Sequence, residues 1–313
     1  MEGLLKETIK AGLKMKVVQP HQLAMVSVDT TVQEKAVTFP TDAKLYYKMR
    51  ERLVKLAKEH GMELRQNYRR TGKRALIMQG RYAHARQMRR AKREIKRLKI
   101  YLGRVARDIG RQVASNRDLK RVFSKPLAMA QRLLDQKRDD KNKLYSLHAP
   151  EVECIAKGKA HKKYEFGNKV SFVSALRNPF ILGIQGLHGN PYDGHTLDDA
   201  IRQAEVLSGQ AIDEVYVDRG YRGHDYTGNA KVEIARGGMR WLKTSLRNKL
   251  KMRSAIEAVI GHTKNDSRMD RNHLLGKEGD KINAILCGCA FNLRKILRAV
   301  LFWLDLFRLR VAG

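Results

Sequence analysis

The sequence predicts an α/β chain in which a sheet is interrupted by a long, basic, all-helical block. Two short β-favouring runs, far apart in the chain, each close on an aspartate: Leu23 to Asp29 and Val215 to Asp218. Between Lys44 and Lys143 stand 32 Lys and Arg against 9 Asp and Glu, with few glycines and one proline, Pro126. After Pro150 the strand signals return. The organisation read from this is residues 1–43 for an opening helix and the first strand or strands, 44–145 for the helical insertion, and 146–313 for the rest of the sheet with a C-terminal helix.

Each element has its own signal. Leu4, Leu5, Ile9 and Leu13 fall at helical spacing and open the chain with an amphipathic helix that Pro20 breaks. The run to Asp29 reads as a strand, prolonged by the β-branched Thr30, Thr31 and Val32. Ala36 to Phe39 reads as a returning hairpin strand, stopped by Pro40. Asp42 to His60 reads as a helix closed by Gly61 in the left-handed cap position. Ala91, Ile95, Leu98, Leu102, Val105 and Ile109 alternate by four and three, the rhythm of a helix packing along another. The other faces of that helix carry Arg89, Arg93 and Arg97, among further basic residues. A helix over about Arg117 to Lys137 is expected to fold back beside it.

Val152 to Ile155, Lys169 to Ser174 and Phe180 to Gln185 read as strands, followed by the turn-rich loop His188 to His195. Thr196 is expected to cap a helix from Leu197 to Leu207, with Asp198 and Asp199 where the helix dipole favours acids. The strand ending at Asp218 comes next, then Val232 to Ala235, ended by Gly237-Gly238. Lys249 to Lys264 reads as one helix. Met252, Ile256, Val259 and Ile260 lie on one of its faces, and Arg253, Glu257 and Lys264 on another stripe. A last helix runs from Lys281 past Arg298.

Composition narrows the function classes. The chain has 313 residues, 42% of them hydrophobic, and a formal net charge of +32. Such a charge points to a polyanionic partner, and a sustained basic block favours contact with phosphate backbone, salt-dependent and indifferent to sequence. The three cysteines, Cys154, Cys287 and Cys289, have no zinc-site spacing and read as reduced, the last two as small core residues. The apolar run Ile296 to Val311 is broken by Arg298, Asp305, Arg308 and Arg310, so no membrane span is expected. A cytoplasmic, nucleoid-associated protein is the expectation.

The chemistry follows from the acids. An aspartate at the C-terminal end of a strand points into the crevice where open α/β sheets hold ligands. Strands ending in Asp29 and Asp218, with a late helix carrying Glu257, are the element order of a ribonuclease H-like sheet. Carboxylates gathered closely repel one another unless a cation sits between them. Mg²⁺ prefers such hard oxygen ligands. A pair of ions about 3.5–4 Å apart would activate a water or a DNA 3′-hydroxyl and stabilise the leaving oxygen. Singly, each acid has an ordinary explanation: Asp29 or Asp218 as a turn residue, Glu257 as the helical partner of Arg253. His188 and His195 read as loop residues, Gly237-Gly238 lacks the Gly-Lys-Ser/Thr of a phosphate-binding loop, and Asp193 reads as a turn residue.

Asp218-Arg219-Gly220-Tyr221, the loop Asn190-Pro191-Tyr192-Asp193 and Arg253-x3-Glu257-x6-Lys264 together resemble bacterial insertion-sequence transposases of the DDE type. The group with the Y-x2-R-x3-E-x6-K signature is the nearest, and Val28-Asp29-Thr30-Thr31 resembles its first-Asp strand. The resemblance runs from about Leu23 to Arg294. It implies that Asp29, Asp218 and Glu257 are the catalytic residues and hold two Mg²⁺ or Mn²⁺ ions. It implies that Arg253 and Lys264 contact DNA or steady the helix, and that Tyr221 lines the site. Double-stranded DNA, both element ends and target, would be the partner, with a homodimer assembled on it. Two departures stand out: Leu250 occupies the place of the signature Tyr, and only about 28 residues precede Asp29. The second implies an N-terminally truncated copy. The alternative function is a catalytically inactive, basic DNA-binding remnant of a transposase.

Overall fold

The computed structural model describes residues 1–137, 139–156, 163–235 and 243–311, the side chains of 306–311 excepted. The chain forms two compact units, one from Met1–Ala36 with Glu153–Gly313, the other from Val37–Val152. In chain order the first unit opens with α1 (Glu2–Lys14), a short α2 (Pro20–Leu23) and β1 (Met25–Glu34). The second unit holds α3 (Asp42–Glu59), α4 (Arg69–His84), α5 (Met88–Val113) and α6 (Arg117–Asp135). The first unit then resumes with β2 (Glu153–Ala156), β3 (Tyr164–Ala175), β4 (Ile181–Leu187), α7 (Leu197–Ser208), β5 (Glu214–Val217) and β6 (Lys231–Ile234). It closes with α8 (Thr244–Met252), α9 (Ala255–Ser267) and α10 (Gly276–Val311).

The six strands make one mixed sheet in the order β2-β3-β1-β5-β6, with β4 also paired to β3. β1 is antiparallel to β3 and parallel to β5, and β5 is parallel to β6. With helices packed on it, this is the ribonuclease H-like arrangement. β1 is central and mostly buried along its length, as a strand covered on both faces must be. At Gly167 a Cβ would stand 1.8 Å from the Gln33 carbonyl oxygen, so glycine alone lets β3 pass β1 so closely. The core draws on Leu5 and Ile9 of α1, Val26 and Val28 of β1, Phe172, Phe180, Ile201, Val215, Ile256 and Ile296. Cys287 and Cys289 are buried thiols within it, and burial pushes the Cys287 thiol up to about 12.

Three local expectations are corrected. Ala36 to Phe39 forms no hairpin strand: β3 holds one edge of β1 from Val26 to Glu34, and Asn272 bonds Glu34 O and Ala36 N on the other. The chain leaves β1 through a bridge from Lys35 to Asn272, with Ala36 N donating to Asn272 O. Lys249 to Lys264 is not one helix. At Arg253 and Ser254 the ladder tightens: Ser254 N bonds to Lys251 O, Ile256 N to Arg253 O, and the Ser254 hydroxyl to Lys251 O at 2.7 Å. Thr196 holds the N-cap position of α7 but its side chain makes no capping bond. Its hydroxyl donates to Asp193 O at 2.8 Å and closes a 3₁₀ turn over Asp193–Thr196. Gly237-Gly238 lies outside the described residues.

In the helical unit the stripe on α5 is the axis. Ala91, Leu98, Leu102, Val105 and Ile109 are buried, and α5 packs against α3, α4 and α6. Thr41 caps α3 by accepting from Lys44 N, and Gly61 follows its end at φ +65°. α4 was not separately legible: its buried residues are Gly72 and Ala75, too small to mark an apolar stripe. The buried Arg50 anchors the approach to α4, donating to Asn67 O at 3.0 Å with its guanidinium over the Tyr47 ring.

Candidate active site

The pairing of β1 with β5 builds the site. Their parallel register runs from Met25 with Glu214 to Ser27 with Tyr216. Carried two residues past the last pair, the same offset puts Asp29 level with Asp218; Asp29 does not close its strand, as expected, but sits in the middle of β1, which runs on to Glu34. Asp218 ends β5 and caps the next turn, its Oδ1 accepting from Gly220 N at 2.8 Å. The fold brings in a third aspartate. Asp193 Oδ1 accepts from the Thr30 hydroxyl and from Lys169 Nζ, each at 2.9 Å, and Lys169 also donates to Pro191 O. A Cβ added at Gly220 would stand 3.0 Å from Asp218 Oδ1 and 3.5 Å from Asp193 Oδ2, so the absent side chain lets the two carboxylates approach.

Tyr221 is fully buried beneath these acids. Burial first, then the fields of Asp29, Asp193 and Asp218, push its phenol far above the usual tyrosine range. Its hydroxyl, near Thr196, makes no sound hydrogen bond among the described residues. Tyr221 is therefore a floor to the site and not a surface for DNA contact. Tyr221→Phe is expected to change stability by less than about 1 kcal/mol, because no satisfied bond is lost. Tyr221→Ala should cost about 3–5 kcal/mol through the cavity it leaves. Urea unfolding of both variants measures the difference.

Glu257 stands in the first turn of α9 with its side chain 69% exposed, and Arg253 links it to the sheet. The guanidinium lies 4.0 Å from Asp29 Oδ2 and 3.7 Å from Glu257 Oε1. Asp29 and Glu257 thus face one positive charge, the arrangement that acids of like charge require. Among the described residues no three acidic, His or Cys side chains gather tightly enough to hold one metal ion. Carboxylate oxygens are the donors a hard divalent cation prefers, but Arg253 now balances Asp29 and Glu257, so an ion there would have to displace it.

The remaining expected residues fall as follows. Lys264 is half-buried in the last turn of α9. Arg89, Arg93 and Arg97 are exposed on α5, and Arg97 pairs with Glu94 at 2.9 Å. Leu250 is not a vacancy at the surface but a core residue, packed with Tyr216 and Leu176. Lys249 beside it grips Glu214 of β5 at 2.6 Å and ties α8 to the sheet. Asp193, Thr30 and Lys169 were the residues that sequence reasoning underweighted. Lys169 offered the available signal, a lysine inside an apolar alternation that ends up 7% exposed.

Residues 136–293 match the family described as "Transposase DDE domain". A curated relative, "Uncharacterized protein ORF8 in nfe locus" of Rhizobium meliloti, is 52% identical over 87 residues. That stretch is 28% of this chain and 42% of the relative's length. No solved structure matches the chain.

Proposed function

Because the chain belongs to the transposase DDE domain family, we propose that it cuts DNA at the ends of a mobile element and joins the 3′ ends to a target. What supports this reading is the β1–β5 register: continued past Ser27, it puts mid-strand Asp29 level with Asp218, just beyond the end of β5, and both carboxylates act on the buried Tyr221 phenol. Asp29, Asp218 and Glu257 are the proposed metal-holding carboxylates, for two Mg²⁺ or Mn²⁺ ions. Bound there, such ions would activate a water or a 3′-hydroxyl and stabilise the leaving oxygen. Asp193, held by Lys169 and Thr30, is the proposed positioning residue for Asp218. Arg253 balances the acids and contacts DNA phosphate when it leaves them, with Lys264 further along α9.

Double-stranded DNA is the proposed partner, gripped by Arg89, Arg93 and Arg97, with two copies on paired element ends. A nucleoid-associated location fits that partner. Among the described residues no helix is long and apolar enough to cross a membrane. The second reading, a basic DNA binder without catalysis, is favoured by Arg253 already bridging Asp29 and Glu257.

The purified chain with Mg²⁺ on DNA bearing the element ends separates the two. Nicking at the ends is the expected result; binding without nicking supports the binder. Gly220→Ala sharpens the test. Its Cβ would press on Asp218 Oδ1 at 3.0 Å while only touching Asp193. Cleavage is expected to fall by about 10-fold or more, since small misplacements at a reacting centre are costly. The thermal midpoint should hardly move.

A further inference from the structure

Within the helical unit, away from Arg89, Arg93 and Arg97, a cleft of about 410 Å³ opens between α5 and the segment leading into α4. Arg104, Arg107 and Arg111 of α5 line it together with Arg65, Tyr68 and Asp108. We propose that this cleft is a binding site for a backbone phosphate of DNA. The choice of DNA over another phosphate source rests on the transposase reading; the anion chemistry does not.

Four guanidinium groups meet one carboxylate there. That carboxylate is committed: Asp108 Oδ2 accepts from the Arg65 backbone N at 2.9 Å, and Oδ1 faces Arg111 at 3.5 Å. Asp108 is 6% exposed and offsets the charge of Arg111, so the lining still carries more guanidinium than carboxylate charge. Spacings of three and seven set Arg104, Arg107 and Arg111 on one face of α5, where like charges repel unless an anion joins them.

The cleft is also built in advance. The Tyr68 ring stacks on Tyr101 at 4.5 Å and 9°, and its hydroxyl meets Arg104 Nη1 at 3.3 Å. Arg104 is thereby aimed before any ligand arrives. Arg107 lies across Gly103, where a Cβ would stand 3.2 Å from Nη1. Tyr68 is in the left-handed region at φ 54° and stands at the N-cap position of the 16-residue α4. Planar guanidinium forks suit phosphate oxygens.

The test is duplex DNA of arbitrary sequence titrated onto the full chain across a range of salt concentrations. Arg104→Ala/Arg107→Ala is expected to bind at least about 10-fold more weakly. Its slope of log K against log salt should shrink by about 2, equally for unrelated sequences. Lys55→Ala/Lys58→Ala removes the same charge from α3 and should leave the slope near that of the unaltered chain. Circular dichroism confirms that both variants fold. Arg104→Lys/Arg107→Lys should restore most of the slope and less of the affinity. An unchanged slope in Arg104→Ala/Arg107→Ala, with the unaltered chain still binding DNA, overturns the site and leaves the transposase reading standing. Equal losses in the Lys55/Lys58 variant also overturn it. Failure of the unaltered chain to bind DNA overturns both.

Discussion

Asp218→Asn is expected to keep DNA binding while Mg²⁺-dependent strand cleavage falls by about 10³-fold or more. The substitution isolates charge from structure. Asp218 Oδ1 accepts from Gly220 N, and an asparagine oxygen can do the same, so the turn after β5 should survive. What goes is the negative charge at the end of β5, level with Asp29. Asp29→Asn should behave likewise, because the two acids serve one proposed centre. Cleavage assays on end-bearing DNA, paired with binding isotherms, separate the two properties. Cleavage retained in Asp218→Asn would remove the catalytic assignment.

The second large effect concerns stability. Lys35 and Asp280 form an ion pair at 2.6 Å with side chains 3% and 4% exposed. Asn272 also donates to Asp280 Oδ1, and Gln33 donates to the Asp280 carbonyl at 3.0 Å. This network joins the end of β1 to the start of α10. Asp280→Ala leaves a buried ammonium without its main counter-charge and is expected to cost about 3–5 kcal/mol. Replacing both partners, as Lys35→Met/Asp280→Leu, should recover much of that loss, because neither buried charge then remains. Urea unfolding of the single and double variants is the measurement. A single variant as stable as the unaltered chain would mean that water reaches the pair.

How much of this the sequence disclosed depends on what each element buries. The α5 stripe was readable because Leu98, Leu102, Val105 and Ile109 are large, apolar and periodic. α4 was hidden because Gly72 and Ala75, its buried residues, carry no such signal. Asp218 was readable as a carboxylate just past a β-favouring run, a local pattern; Asp29 was read as closing its strand, but β1 runs on through Thr30 to Glu34. Asp193 was not, because its meaning depends on Thr30 and Lys169, which are distant in sequence and meet it only across the sheet. The break between α8 and α9 escaped periodicity because both helices keep helical dihedrals through Arg253 and Ser254. The bend rests on a shift from four-residue to three-residue hydrogen bonds. The false hairpin at Ala36 to Phe39 has a similar origin: local β preference cannot see that β3 holds one edge of β1 and that Asn272 meets the other at Glu34 and Ala36.

The most direct measurement is a crystal structure of the protein soaked with Mn²⁺, read by anomalous scattering. The expected result is a peak in ligand contact with both Asp29 and Asp218, with the Arg253 guanidinium moved off Asp29. Crystals saturated with Mn²⁺ that show no peak between those aspartates, and Arg253 still bridging Asp29 to Glu257, would contradict it.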